Sequence, residues 1–333
     1  MTKVAIVGMG AWGTAFSMHA ANARLEVWLL ASARDSVEKV ASTRQHPALA
    51  GAPPIPENVS LTADAGAAFH GASAVLWAVS VQGTAEEAGR LRTVLPAGVP
   101  LVAMAKGLEV GSKRRTTQIL GDVLSRSSGL AALSGPTFAA EVARGLPAAA
   151  VVASADPDVC LSVQGLLSSP TFRLYRSSDV VGVEISGAAK NVVAIAAGIV
   201  DGLKLGHNTR AALLTRALAE IRRLGTTLGG QPDTFAGLAG VGDLILTATG
   251  DLSRNRRVGL ALAAGKSLSE AVSALGGEVA EGVATAAVLV ELARSVGVEM
   301  PIAEIVGEIL SGQVAPRDAL RALMTRRLKQ ENV

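Results

Sequence analysis

Apolar residues arrive in two rhythms along this chain. In the first half they form short, unbroken runs bounded by glycine, proline or charge. These are residues 3–8 (KVAIVG), 25–31 (LEVWLLA), 72–80 (ASAVLWAVS), 100–107 (PLVAMAKG), 131–135 (AALSG) and 148–154 (AAAVVAS). Short continuous runs of this kind predict fully buried strands. Helix-like segments separate them, at 11–23 (AWGTAFSMHAANA) and 84–95 (TAEEAGRLRTVL). Residues 46–62 (HPALAGAPPIPENVSLT) are too rich in proline for a helix interior and read as a connection. Strands alternating with helices imply parallel pairing through right-handed crossovers. From about Asp179 the period lengthens to that of helices, at 183–203, 209–229 and 283–297, and strand signals almost vanish. The expectation is an α/β fold: a parallel-sheet domain over 1–180, followed by an all-helical domain over 181–333.

Composition narrows this picture. Aromatics are 3% of the 333 residues while hydrophobic residues are 49%, so the core is built from small and branched aliphatics. The net charge of +3 is too weak to point to nucleic acid, yet it suits an anionic small molecule. Cys160 is the only cysteine, which excludes an intrachain disulfide and fits a reducing compartment. The N-terminal apolar run turns directly into glycines, unlike a signal peptide. No apolar stretch reaches the roughly 20 uninterrupted residues of a bilayer span. These features together read as a cytoplasmic protein.

The first strand runs into VGMGAWGTAF, where Gly8, Gly10 and Gly13 are spaced G-x-G-x-x-G. Between a strand and a helix, that spacing is the fingerprint of a Rossmann-type dinucleotide site. Gly8 allows the tight turn, Gly10 lets backbone approach a pyrophosphate, and Gly13 lets helix and strand pack closely. The helix N-terminus adds free N–H groups. At the end of the second strand, Ser32 and Arg34 precede Asp35. An arginine there accommodates a 2′-phosphate, which places NADP ahead of NAD.

Further along, polar residues stand among glycines in apolar surroundings: AKGLE (105–109), LSGPTFAAE (133–141), GAAKNVVAIAAG (187–198) and GLAGVGDLILTATGDLSRNRR (237–257). Lys190 on an apolar helix is poorly solvated. It is either a base whose neutral amine is favoured by desolvation or a lysine snorkelling to water. Lys106 follows a strand directly, where α/β sheets bind ligands. Asp243, flanked by glycine and aliphatics, needs a partner, and Lys190 is the one expected. Otherwise Asp243 caps a helix. Thr247 shares its face if that stretch is helical. In SRNRR (253–257) an arginine fork suits a phosphate, with Arg256 and Arg257 read as solvated charges. Pro136 could start a helix at N1. His207 reads as an exposed loop residue.

From GMGAWGTAF to EVAEGVATA (278–286) and VGVEMPI (296–302), these motifs resemble the bacterial NAD(P)-dependent glycerol-3-phosphate dehydrogenases over nearly the whole chain. The resemblance implies interconversion of dihydroxyacetone phosphate and sn-glycerol 3-phosphate by hydride transfer, supplying glycerol 3-phosphate for phospholipid synthesis. It implies catalytic roles for Lys190 as proton acceptor, with Asp243 and Lys106. Substrate contacts are implied at Lys106, Gly135, Thr137, Lys190, Asn191, Asp243, Thr247, Ser253, Arg254 and Asn255. Cofactor contacts are implied at Gly8, Gly10, Ala11, Trp12, Gly13, Ser32, Arg34, Lys106, Ala139, Arg254, Val279 and Glu281. Two departures stand out. Ala11 occupies a position where relatives often have serine, and Ser32 with Ala33 lacks the histidine or arginine many place there. The expected partner is a small phosphorylated substrate, with no nucleic acid and no metal, and a homodimer stays open. Two other readings remain: a two-domain β-hydroxyacid dehydrogenase acting on carboxylates, or a dinucleotide-sensing protein without catalysis.

Overall fold

The computed structural model describes residues 1–325, 327, 330 and 331. It divides into two compact units, one formed by residues 1–106 and 114–180, the other by 107–113 and 181 onward.

The first unit is built on an eight-stranded sheet: β1 (Lys3–Val7), β2 (Glu26–Leu30), β3 (Val59–Thr62), β4 (Ala72–Trp77), β5 (Leu101–Ala103), β6 (Leu130–Ser134), β7 (Ala148–Ala153) and β8 (Phe172–Ser177). Their spatial order is β3-β2-β1-β4-β5-β6-β7-β8. Side chains alternate across a strand, and here both faces are covered. Val4 and Ile6 of β1 enter one core with Phe16, Leu29 and Leu76, while Ala5 and Val7 enter the other with Leu30, Val75 and Trp77. Two buried faces explain the unbroken apolar runs.

Three expectations are corrected in this unit. The sheet is not wholly parallel, because β7 runs antiparallel to β6 with Leu133 opposite Val152. Residues 135–147 hold only the short helix Ala139–Ala143, which cannot carry the chain back along the sheet for a parallel return. β3 lies inside the proline-rich stretch read as a connection. β8 was not expected at all. It is an edge strand with Phe172 and Leu174 buried and Arg173 and Tyr175 exposed, so its pattern alternates instead of running continuously.

The second unit is helical among the described residues, and its core draws on Ile185, Val192, Ile195, Leu224, Leu244, Val258, Leu289 and Val306. The segment 107–113 belongs here because Leu108 is fully buried in this core and the Lys113 ammonium lies 3.6 Å from Glu291. The longest helix, Val180–Gly202, is apolar and long enough to cross a membrane by length and composition. The expectation concerned an uninterrupted apolar run, and this helix is interrupted by Glu184, Lys190 and Asp201. Its apolar window lies entirely inside the protein, as a core helix would, and it carries the buried Glu184 and Lys190.

Candidate active site

The glycine loop leaves β1 at Gly8, whose φ of +107° lies where side chains are disfavoured. A Cβ there would stand 2.9 Å from the carbonyl carbon and oxygen of Ala78, just past β4. Gly10 has nothing within 4 Å of its Cβ position and is exposed, so its backbone is open to a ligand. Gly10 also caps the helix Ala11–Asn22, which has no capping side chain and no acidic residue in its first turn. No carboxylate therefore competes with an anion for its first amides. Ala11 and Trp12 open this helix half-buried. Trp12 meets Phe16 edge-on at 5.4 Å, and its Nε1 is buried with no hydrogen-bond partner among the described residues. These features fit a dinucleotide pyrophosphate. Ser32 and Arg34 are exposed at the end of β2, Arg34 as the first residue of the helix Arg34–Ala41. The side chain of Asp35 lies outside the described residues.

Beyond β5 and β6, Lys106 Nζ donates to the Gly135 carbonyl at 2.9 Å, and Thr137 Oγ1 donates to the same oxygen at 3.1 Å. Gly135 takes φ +152° because β7 presses on it: a Cβ would stand 2.7 Å from Ala150 Cα. The helix expected to begin at Pro136 begins instead at Ala139, with Phe138 as its cap.

In the helical unit Lys190 and Asp243 meet. Lys190 Nζ donates to Asp243 Oδ1 at 3.0 Å and to Thr247 Oγ1 at 2.7 Å, and Thr247 Oγ1 lies 3.3 Å from the same carboxylate oxygen. All three are buried. Asp243 is no simple cap. It opens the helix Asp243–Thr249 directly after a π-helical turn at Leu238–Gly242. Such turns are rare and occur often at functional sites. Burial disfavours a lone ammonium, and the carboxylate offsets that penalty.

Asn191 and Asn255 form a second cluster. Asn255 Nδ2 donates to Asn191 Oδ1 at 3.0 Å, and Asn255 Oδ1 accepts from the Gly282 amide at 3.0 Å. Ser253 is buried and caps the helix Arg254–Ala263, its Oγ accepting from the Arg256 amide at 3.2 Å. The three arginines of SRNRR separate cleanly. Arg254, half-buried, makes no hydrogen bond or ion pair among the described residues. Arg257 reaches Glu278 at 3.4 Å. Arg256 is not the solvated charge expected, because its guanidinium is pinned between Asp201 (2.7 Å) and Asp251 (2.9 Å). Glu281 starts the helix Glu281–Ser295, and Val279 before it is exposed. His207 is exposed and lies 3.1 Å from Arg210.

Two carboxylates escaped the sequence reading. Asp201 is one. The other, Glu220, is buried, and both its oxygens accept from the Ile302 amide at 3.1 Å at the start of the helix Pro301–Leu310. Burial pushes its carboxyl up to about 7. The available signal was its place on an apolar helical face, one position before Ile221 and four before Leu224. Among the described residues no cluster of His, Cys, Asp and Glu could hold a metal ion.

Residues 3–160 match the family model for the N-terminus of NAD-dependent glycerol-3-phosphate dehydrogenase, and residues 179–321 match the model for its C-terminus. A glycerol-3-phosphate dehydrogenase [NAD(P)+] of Aromatoleum aromaticum is 46% identical over 99% of this chain and all of the relative. One from Geobacter sulfurreducens is 44% identical over 99% of this chain and 98% of the relative. The crystal structure of a glycerol-3-phosphate dehydrogenase from Coxiella burnetii superposes with a TM-score of 0.91 at 36% identity, covering 98% of this chain and 99% of that one.

Proposed function

Because this chain belongs to the NAD-dependent glycerol-3-phosphate dehydrogenase family, we infer that it interconverts sn-glycerol 3-phosphate and dihydroxyacetone phosphate. It is an NAD(P)-dependent oxidoreductase. The observation that carries the substrate reading is the buried Lys190–Asp243–Thr247 cluster, in the same unit as Arg254, which makes no hydrogen bond or ion pair among the described residues.

When bound, the nicotinamide supplies or accepts the hydride. Gly8, Gly10, Gly13, Ala11 and Trp12 hold the dinucleotide's pyrophosphate through backbone, with Ser32 and Arg34 toward the ribose. The exposed guanidinium of Arg34 supports NADP ahead of NAD. Ala139, Val279 and Glu281 are assigned to the cofactor on family resemblance.

A carbonyl that gains a hydride must also gain a proton. Lys190 gives that proton to the ketone oxygen in reduction and takes it from the hydroxyl in oxidation. Asp243 and Thr247 hold Nζ in one orientation; after reduction the neutral amine takes a fresh proton from water, and after oxidation the ammonium releases the proton it gained. Lys106 places positive charge at the carboxyl end of β5, steadied on the carbonyl of Gly135 together with Thr137. Arg254 grips the phosphate as a planar fork. Ser253 and Asn255 frame it from a capped helix start, with Asn191 joined to them through its bond from Asn255. The reductive direction would supply glycerol 3-phosphate for phospholipid synthesis in the cytoplasm.

Initial rates with dihydroxyacetone phosphate, measured with NADPH and NADH side by side, test this. Turnover with both, and a higher kcat/KM with NADPH, is expected. Turnover of a carboxylate ketone in place of the phosphate would overturn the substrate. A higher kcat/KM with NADH would overturn the role given to Arg34.

A further inference from the structure

We propose that Asp201 and Arg256 form a clamp that sets the spacing between Lys190 and Arg254, and so tune the enzyme to its phosphorylated substrate as a positioning pair. This rests on the assignment of Arg254 to the phosphate. Lys190 and Asp201 stand on one helix, Val180–Gly202, about 16 Å apart at 1.5 Å per residue. Arg254 and Arg256 are the first and third residues of another, Arg254–Ala263.

The two helices touch backbone to backbone. A Cβ on Gly198 would lie 3.0 Å from the Arg256 carbonyl carbon and from Gly259 Cα, and one on Gly259 would lie 2.9 Å from Gly198 Cα. Glycine against glycine permits this approach, but a smooth contact offers little resistance to sliding. The ion pairs supply that resistance. Arg256 Nε and Nη2 donate to Asp201 Oδ2 at 2.9 and 2.7 Å. Its Nη1 donates to Asp251 Oδ1 at 2.9 Å, in the turn that leads into Arg254. Arg210 Nη1 fixes the other oxygen of Asp201 at 3.0 Å. One guanidinium thus ties the helix of the proton-exchanging lysine to the turn that presents the phosphate-binding arginine.

The side chains of Arg256 and Asp201 are only 13% and 15% exposed. The Arg256–Asp201 pair, this far from water, adds little net stability, and the best-attested use of such a pair is to fix register. The Asp251 arm is 96% exposed, so the buried pair carries the clamp. The register fixed here is the distance from the reacting oxygen to the phosphate. A substrate without a phosphate does not read that distance.

The test uses the full-length enzyme carrying Arg256→Lys or Asp201→Asn, with Arg254→Ala in parallel. For each, kcat and KM for dihydroxyacetone phosphate are measured, with kcat/KM for unphosphorylated dihydroxyacetone and the Tm. A clamp predicts KM for the phosphate up about tenfold, kcat within about threefold of wild type, and dihydroxyacetone kcat/KM within about twofold. Equal losses on both substrates, or no change on either, would overturn it. Should Arg256→Lys fail to fold, the near-isosteric Asp201→Asn decides. If Arg254→Ala leaves KM unaltered, the phosphate assignment fails and the clamp falls with it. If Arg254→Ala raises KM while the clamp variants do not, the clamp alone is wrong.

Discussion

In the sheet unit, the residues assigned to the dinucleotide are mostly glycines and the start of a helix. In the helical unit, the residues assigned to the substrate are long polar side chains sunk among aliphatics. The two regions solve ligand binding with different materials. Backbone at Gly8 and Gly10 offers amides and space, and what matters there is the absence of a Cβ. At Lys190, Asp243 and Thr247, the group proposed to exchange the proton, side chains are used instead, and each must satisfy the next inside an apolar core. Substitutions in the first region should therefore act on cofactor affinity, and those in the second on turnover or stability.

After Lys190 itself, the largest effect is expected at Asp243. Asp243→Asn leaves the buried ammonium without its carboxylate, and kcat should fall about 10²–10³-fold with NADPH affinity preserved. Initial rates and a cofactor titration would show it, and a loss confined to cofactor affinity would erase the contrast between the regions. Gly8→Ala comes next. The new Cβ meets Ala78 backbone at 2.9 Å from a positive φ, so the loop must move. NADPH affinity should weaken on the order of tenfold or more, from about 1–3 kcal/mol of strain. Isothermal titration is the check, and unchanged affinity would mean the loop is not the pyrophosphate cradle.

The last effect concerns Glu220 and touches stability alone, with none expected on activity. Its carboxyl is pushed from 4.5 to about 7, so the fold binds that proton more tightly than the unfolded chain does. The stabilisation is complete below about pH 4.5 and is lost as pH rises through about 7, roughly 3 kcal/mol in all. The Arg223 guanidinium opposes the shift and Glu304 adds to it. Glu220→Gln should remove this slope, leaving the variant similar to wild type at pH 5 and a few degrees more stable at pH 8. Parallel Tm profiles for the two proteins would rule it out.

The same contrast governed what the sequence revealed. The strands β1, β2, β4 and β5 were legible because both their faces are buried, and the glycine spacing marked the loop. β8 hid because one face is wet and its apolar residues alternate with Arg173, Tyr175 and Arg176. The antiparallel turn between β6 and β7 depends on the length of a connection, which periodicity does not report. In the helical unit a buried lysine and a buried aspartate each signalled the need for a partner. Arg256 did not, because a basic run reads the same whether its members meet water or two carboxylates. Asp201 and Glu220 share their helices with other charges, such as Lys190 and Arg222, and only tertiary packing shows what they hold.

The division of labour between the units turns on Lys190, and the variant Lys190→Ala tests it most directly when NADPH affinity and turnover of dihydroxyacetone phosphate are measured on one preparation. The expected result is an NADPH Kd within about twofold of wild type and a kcat lower by about 10³-fold or more. A kcat within tenfold of wild type, with the protein folded and the cofactor bound, would contradict it.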